Sequence, residues 1–172
     1  MKKEIILIGL LFFLGCSKDS IANSNFISTE VGFVLCEGNM TYNNASLHVL
    51  NEEALSHITG DTGQSMAIYK NNLLVVNNGS SNIVIYTISS EGIIEYFSII
   101  DLSGSSPREI LVINDKAYVS QWNVFGIAII DLLSFTYIST IDVNGHTEGL
   151  TYDGANLFTA ITYSDYSTYT SG

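Results

Sequence analysis

From Gly32 onward, apolar residues come in short continuous or alternating runs, each broken by Asn, Gly, Asp or Ser. No stretch sustains the helical period of about 3.6 residues, so the pattern predicts an all-β chain of short strands. The runs also repeat. Met66–Val76 (MAIYKNNLLVV) aligns with Ile110–Ser120 (ILVINDKAYVS) and with Gly149–Thr159 (GLTYDGANLFT), each reading as strand, polar turn, strand. Ile83–Ile88 aligns likewise with Ile127–Leu132, and Phe97–Leu102 with Ile138–Val143. The spacing is roughly 40 to 44 residues, the length of one four-stranded propeller blade.

An earlier, partial unit fits the same scheme. Gly32–Cys36 stands where Leu73–Asn77 stands, Ala45–Leu50 where Ile83–Ile88 stands, and Ser56–Ile58 where Ser98–Ile100 stands; its innermost strand is missing. The most economical architecture is a β-propeller of four-stranded antiparallel blades, whose radial repetition leaves only short, protected edges. A β-sandwich would also use short strands, but it does not require a period near about 42 residues. Blade boundaries are expected at about 31–63, 64–106, 107–147 and 148–172, the last incomplete. That makes about three and a third blades of the four or more, roughly, that a closed ring needs. The expectation is therefore the N-terminal part of a propeller of about 300 or more residues.

The first 30 residues follow a different pattern. Lys2 and Lys3 precede an apolar run from Ile5 to Leu14, followed by Gly15 and Cys16. That run is too short to span a bilayer, which takes about 20 residues. A basic start, a short apolar core and a small residue before the cut describe a secretory signal over residues 1–15. Phe13-Leu14-Gly15-Cys16 resembles a bacterial lipobox, with Phe where Leu is usual, and so points to lipidation of Cys16. Acyl chains contribute about 0.8 kcal/mol per buried methylene, so a multiply acylated Cys16 is a firm membrane anchor. Residues 16–30, rich in Ser, Asn and Asp, then read as the anchor and a flexible tether.

Composition narrows the partners. Six Lys and Arg face 17 Asp and Glu, a net charge of −11. Such a surface disfavours nucleic acid, which is held through phosphate neutralisation. With Cys16 acylated, Cys36 has no disulfide partner and is expected as a small buried residue in a strand; no neighbours mark it as a reactive or metal-binding thiol.

Several phrases together carry a resemblance: Gly32–Asn39 (GFVLCEGN) followed by Asn44–Leu47, Gly60–Met66, Ser106–Ile110, Lys116–Val119 and Gly145–Gly149. In combination they resemble the YncE-like β-propeller surface lipoproteins of Bacteroidetes, over roughly residues 31–163. Cys36 departs from the Asn usual in the family's opening phrase. The resemblance extends to BtuG-type members, which capture cobalamin beside a TonB-dependent transporter. It implies a lipid-anchored, surface-exposed outer-membrane protein that captures a small nutrient or cofactor for such a transporter.

In a propeller the loops entering each innermost strand converge on the axis; here they are residues 61–65, 105–109 and 145–148. Gln64, Arg108 and Thr147 fall at corresponding positions, with Ser65, Glu109 and Glu148 beside them. Polar groups converging on one concave mouth suit recognition of a polar ligand. Arg108 carries the most weight, as one of four cationic side chains beyond Gly15; it either contacts ligand or pairs with Glu109 or Glu148 and ties adjacent blades. Trp122, the sole tryptophan, offers a ring ligand a stacking face or else packs between blades. His146 lies in the third mouth loop, where a ligand or a proton could reach it.

Catalytic patterns are poor. Gly63–Ala67 (GQSMA) approximates the Gly-x-Ser-x-Gly elbow, but it ends in Ala and runs into a strand where the elbow needs a helix. His48, His57 and His146 are scattered, with no zinc spacing. Asp101, Asp131 and Asp142 recur at strand ends, as turn-forming Asp residues do, and no EF-hand loop is present. The expectation is a binding protein with no catalytic residue, metal or cofactor. A cell-surface protein-interaction scaffold is the alternative, and a lactonase- or lyase-type propeller enzyme the third reading.

Overall fold

The computed structural model describes residues 31–50 and 56–163. The signal, Cys16 and the tether lie outside these residues, as does the end of the fourth repeat unit. Within them the chain is all-β. Sheet one holds β1 (Gly32–Cys36), β2 (Ala45–Leu50) and β3 (Ser56–Gly60). Sheet two holds β4 (Gly63–Tyr69), β5 (Asn72–Asn77), β6 (Asn82–Ile88) and β7 (Ile94–Asp101). Sheet three holds β8 (Pro107–Ile113), β9 (Lys116–Gln121), β10 (Gly126–Asp131) and β11 (Thr136–Asp142). The described part of the fourth unit is the hairpin β12 (His146–Tyr152) and β13 (Leu157–Tyr163). In every sheet, strands adjacent in sequence pair antiparallel.

Local chemistry closes the hairpins. The turn after the first strand of three successive units requires a positive φ, found at Lys70 (54°), Asn114 (55°) and Gly154 (99°). Asn and Gly tolerate that region best. Asp131 Oδ1 accepts the amides of Leu133 (2.7 Å) and Ser134 (3.0 Å), and Asp153 Oδ1 those of Ala155 (2.8 Å) and Asn156 (2.7 Å). These are Asx turns, the role expected for Asp131 among the strand-end Asp residues; Asp153 adds a second.

Packing explains why β5 is a continuous apolar run. Successive strand residues point to opposite faces of a sheet. Leu74 and Val76 join Ile83 and Ile85 against Val119, Ala128 and Ile130 of sheet three. Leu73 and Val75 join Val84 and Tyr86 against Leu47 and Val49 of sheet one. Sheet two is thus covered on both sides, and a strand buried on both faces needs no polar alternation. The last strands are exposed edges, with Tyr96, Phe97 and Ile99 on β7 and Tyr137, Ile138 and Ile141 on β11 open to solvent. Both pairings onto these edges contain a bulge, between Ile85 and Tyr86 and between Ile129 and Ile130. Bulges twist an edge away from further pairing.

One arrangement positions the site. β1 lies against β4, β4 against β8, and β8 against β12, so the first strands of successive sheets stand in a row. Cys36 departs from its expected burial: it ends β1, an edge strand, and is exposed.

Candidate functional site

The row of first strands shares an irregularity. β4 pairs Gly63 with Asn77 and resumes at Ser65 with Val76, which leaves Gln64 over. β8 pairs Pro107 with Gln121 and resumes at Ile110 with Val119, so Arg108 and Glu109 together oppose Ser120. β12 pairs Thr147 with Ile161 and resumes at Leu150 with Thr159, so Glu148 and Gly149 oppose Ala160. A bulge frees residues from the ladder and re-aims their side chains. Gln64, Arg108, Glu109 and Glu148, which sequence spacing assigned to mouth loops, are these bulge residues, and they lie within the strands. Adjacent polar positions resemble a loop because the bulge suspends the alternation that marks a strand.

Hydroxyls brace the bulge of β8 and the start of β12. Ser65 Oγ donates to the Arg108 carbonyl (2.9 Å) and accepts the Ile110 amide (3.1 Å), which clamps β8 onto β4. Ser120 Oγ accepts the Glu109 amide at 2.9 Å. Thr147 Oγ1, fully buried, accepts the Gln121 amide (2.8 Å) and donates to the Gly126 carbonyl (2.9 Å).

Arg108 Nε donates to Glu148 Oε2 at 3.1 Å, with the side chains 27 % and 22 % exposed. Trp122 Nε1 donates to Glu148 Oε1 at 2.6 Å, and the Arg108 guanidinium carbon stands 4.4 Å from the Trp122 ring centre. One carboxylate thus holds both a cation and an indole that stack on each other, a contact worth about 0.5–2 kcal/mol. Of the two roles open to Arg108, pairing across adjacent sheets is realised, with Glu148 and not Glu109 as the partner. Trp122 has its N–H satisfied and one face taken by Arg108, so it packs at the seam.

His146 is the main correction. It opens β12 inside the protein, 8 % exposed, with Nδ1–H donating to the Trp122 carbonyl and the ring 4.7 Å, edge-on, from Phe125. It braces the 122–125 turn and does not line the groove.

Glu37 was missed. Its side chain accepts from Gln64 Nε2 at 2.8 Å. The signal was available in the repeat register: Glu37, Asn78 and Trp122 each follow the second-strand position of their unit. Each reaches the start of the next sheet's first strand, Asn78 by donating from Nδ2 to the Pro107 carbonyl at 3.1 Å.

Two concave spaces flank Arg108. One, of about 510 Å³, is lined by Glu37, Gln64, Met66 and Arg108 among others. The other, of about 270 Å³, shares Gln64 and Arg108 and adds Glu109 and Glu148. Their rim carries three carboxylates (Glu37, Glu109, Glu148) against one guanidinium, over apolar Met66 and Ile110. Such a groove presents chiefly hydrogen-bond acceptors and favours a donor-rich ligand that is neutral or cationic. Among the described residues no three His, Cys, Asp or Glu side chains are grouped to hold a metal ion. No family model matches the chain, and no curated protein matches it.

Proposed function

We propose that the four sheets are successive blades of a β-propeller, and that the chain is a lipid-anchored cell-surface protein capturing a small donor-rich nutrient or cofactor for a TonB-dependent transporter. The observation that carries the reading is the row β4, β8, β12, in which each strand opens on a bulge that turns polar side chains into one groove. In a propeller the first strand of each blade lines the axis, where convergent polar groups in a concave site fix a ligand's orientation. The anchor rests on the lipobox at Cys16, and the transporter and a cobalamin-like ligand on the resemblance to YncE-like lipoproteins. Cobalamin's rim of amide groups supplies donors for the Glu109 carboxylate and for the lone pairs that Glu37 and Glu148 have left after their bonds to Gln64, Arg108 and Trp122. The role is binding, without covalent chemistry.

The test is a titration of the full chain in detergent with cyanocobalamin, haem and a siderophore, followed by calorimetry and by the emission of Trp122, whose indole touches Arg108 and Glu148 of the groove. The reading predicts saturable binding of one of them, weakened at least about tenfold, or roughly 1.4 kcal/mol, by Arg108→Ala. Absence of binding across the panel would overturn it. The apolar edges of β7 and β11 would then favour the protein-interaction scaffold, tested by capture of a partner that is lost on Phe97→Ser or Tyr137→Ser.

A further inference from the structure

Arg108 is fixed in the groove while most of its donors stay unspent. Nε donates to Glu148 Oε2 at 3.1 Å, and the other oxygen of that carboxylate is taken by Trp122 Nε1. Glu148 therefore makes one bond to Arg108 where a carboxylate often makes a two-bond fork. The guanidinium plane is held by its stack on Trp122, 4.4 Å from the ring centre. Its terminal nitrogens, which carry most of a guanidinium's N–H groups, have no partner among the described residues, and neither is sealed from solvent. Arg108 lines both concave spaces of the groove, so these donors stand where the two spaces meet.

The neighbouring carboxylates are unevenly used. Glu148 has both oxygens bonded, and its charge is balanced by Arg108. Glu37, in the larger space, gives one oxygen to Gln64 and keeps the other. Glu109, in the smaller space, has no side-chain partner among the described residues. An open guanidinium edge is thus flanked by a carboxylate with spare acceptors in each space. Leu35 and Met66 add an apolar wall to the larger one.

We propose that the ligand of this groove is a free basic amino acid such as lysine. The inference rests on the groove reading above and names its ligand class. The α-carboxylate forks onto the terminal nitrogens of Arg108, a strong and directional pairing. The α-ammonium donates to Glu109 and the side-chain ammonium to Glu37, with the methylenes between them against Leu35 and Met66. A purely cationic ligand leaves the Arg108 edge unmatched, and a purely anionic one meets two unbalanced carboxylates.

The experiment titrates the full chain in detergent with L-lysine and with analogues that each lack one charged group: cadaverine without the carboxylate, 6-aminohexanoate without the α-ammonium, and L-norleucine without the side-chain ammonium. Binding is followed by calorimetry and by the Trp122 indole resonance. L-lysine is expected to bind with a Kd of roughly 1 mM or tighter, and each analogue about tenfold or more weakly. Glu109→Gln should weaken L-lysine by about tenfold and 6-aminohexanoate hardly at all, a difference that structural damage alone would not produce. The Glu109 side chain has no bond to lose, so this variant reads the site even if Arg108→Gln, expected to erase the preference for L-lysine over cadaverine, does not fold. Cadaverine binding as tightly as L-lysine would overturn the proposal, as would L-lysine binding that Glu109→Gln leaves intact. So would silence with L-lysine at about 100 mM, far above a millimolar Kd. Cyanocobalamin and haem are titrated in parallel: if either binds while L-lysine does not, the ligand class falls and the groove reading stands, and if nothing binds both fall.

Discussion

Sheet two and the β12–β13 hairpin arise from the same strand–turn–strand phrase, yet their surroundings differ completely. In β5, Leu73, Leu74, Val75 and Val76 are all fully buried, shared between the cores facing sheets one and three. In β13, Phe158 and Ile161 are 50 % and 49 % exposed. The hairpin forms in both cases, because turn chemistry and cross-strand pairing are local. Burial is what neighbours add, as in other repeat architectures where stability sums intrinsic units and nearest-neighbour interfaces.

The largest effect that tests this contrast is a core truncation. Leu74→Ala should destabilise by about 2–5 kcal/mol in urea unfolding, whereas Phe158→Ser should stay within about 0.5 kcal/mol. Equal losses would mean that the face of β13 is covered after all. Next come the seams between sheets. Arg108→Ala removes the Glu148 ion pair and the stack on Trp122, for an expected loss of about 1–2 kcal/mol, only partly recovered by Lys. Gln64→Ala at the exposed Glu37 seam should cost no more than about 0.5 kcal/mol. A reversed order would place the tighter seam between sheets one and two.

The smallest effect concerns acid. Backbone amides of Ser134 and Leu133 hold the Asp131 carboxyl below its ordinary value, and those of Asn156 and Ala155 do the same for Asp153. The Tyr69 hydroxyl, and then Lys70, lower Asp115. A carboxyl whose folded pKa is depressed stabilises above its unfolded value, near about 3.9, and loses that contribution as pH falls through the folded value. Stability should therefore decline below about pH 4, and Asp131→Ala and Asp153→Ala should each flatten the decline in an acid titration of the melting temperature. An unchanged slope would show that these turns do not sense pH.

Much of the fold was legible in the sequence because strands of this kind depend on short-range pattern. The paired runs at Met66–Val76, Ile110–Ser120 and Gly149–Thr159 are hairpins, His48 and His57 fall on strands, and Asp131 makes its turn. The bulges were not legible. Freeing Gln64 or Arg108 from the ladder changes register, not composition, so polar pairs such as Arg108-Glu109 read as loop. The choice between Glu109 and Glu148 for Arg108 needed the distance between β8 and β12. The burial of His146 depended on the Trp122 carbonyl and the Phe125 ring, contacts set by how sheet three meets β12. Cys36 failed as a core residue because it ends β1, an edge strand, where its side chain is exposed.

The central claim is that the bulged starts of β4, β8 and β12 form one ligand groove. Its most direct test is chemical-shift mapping of the full chain in detergent during titration with cyanocobalamin, haem and a siderophore. The account predicts perturbations centred on Gln64, Arg108, Glu148 and the Trp122 indole. Perturbations centred instead on the outer strands β7 and β11, or none with any of the three compounds, would contradict it.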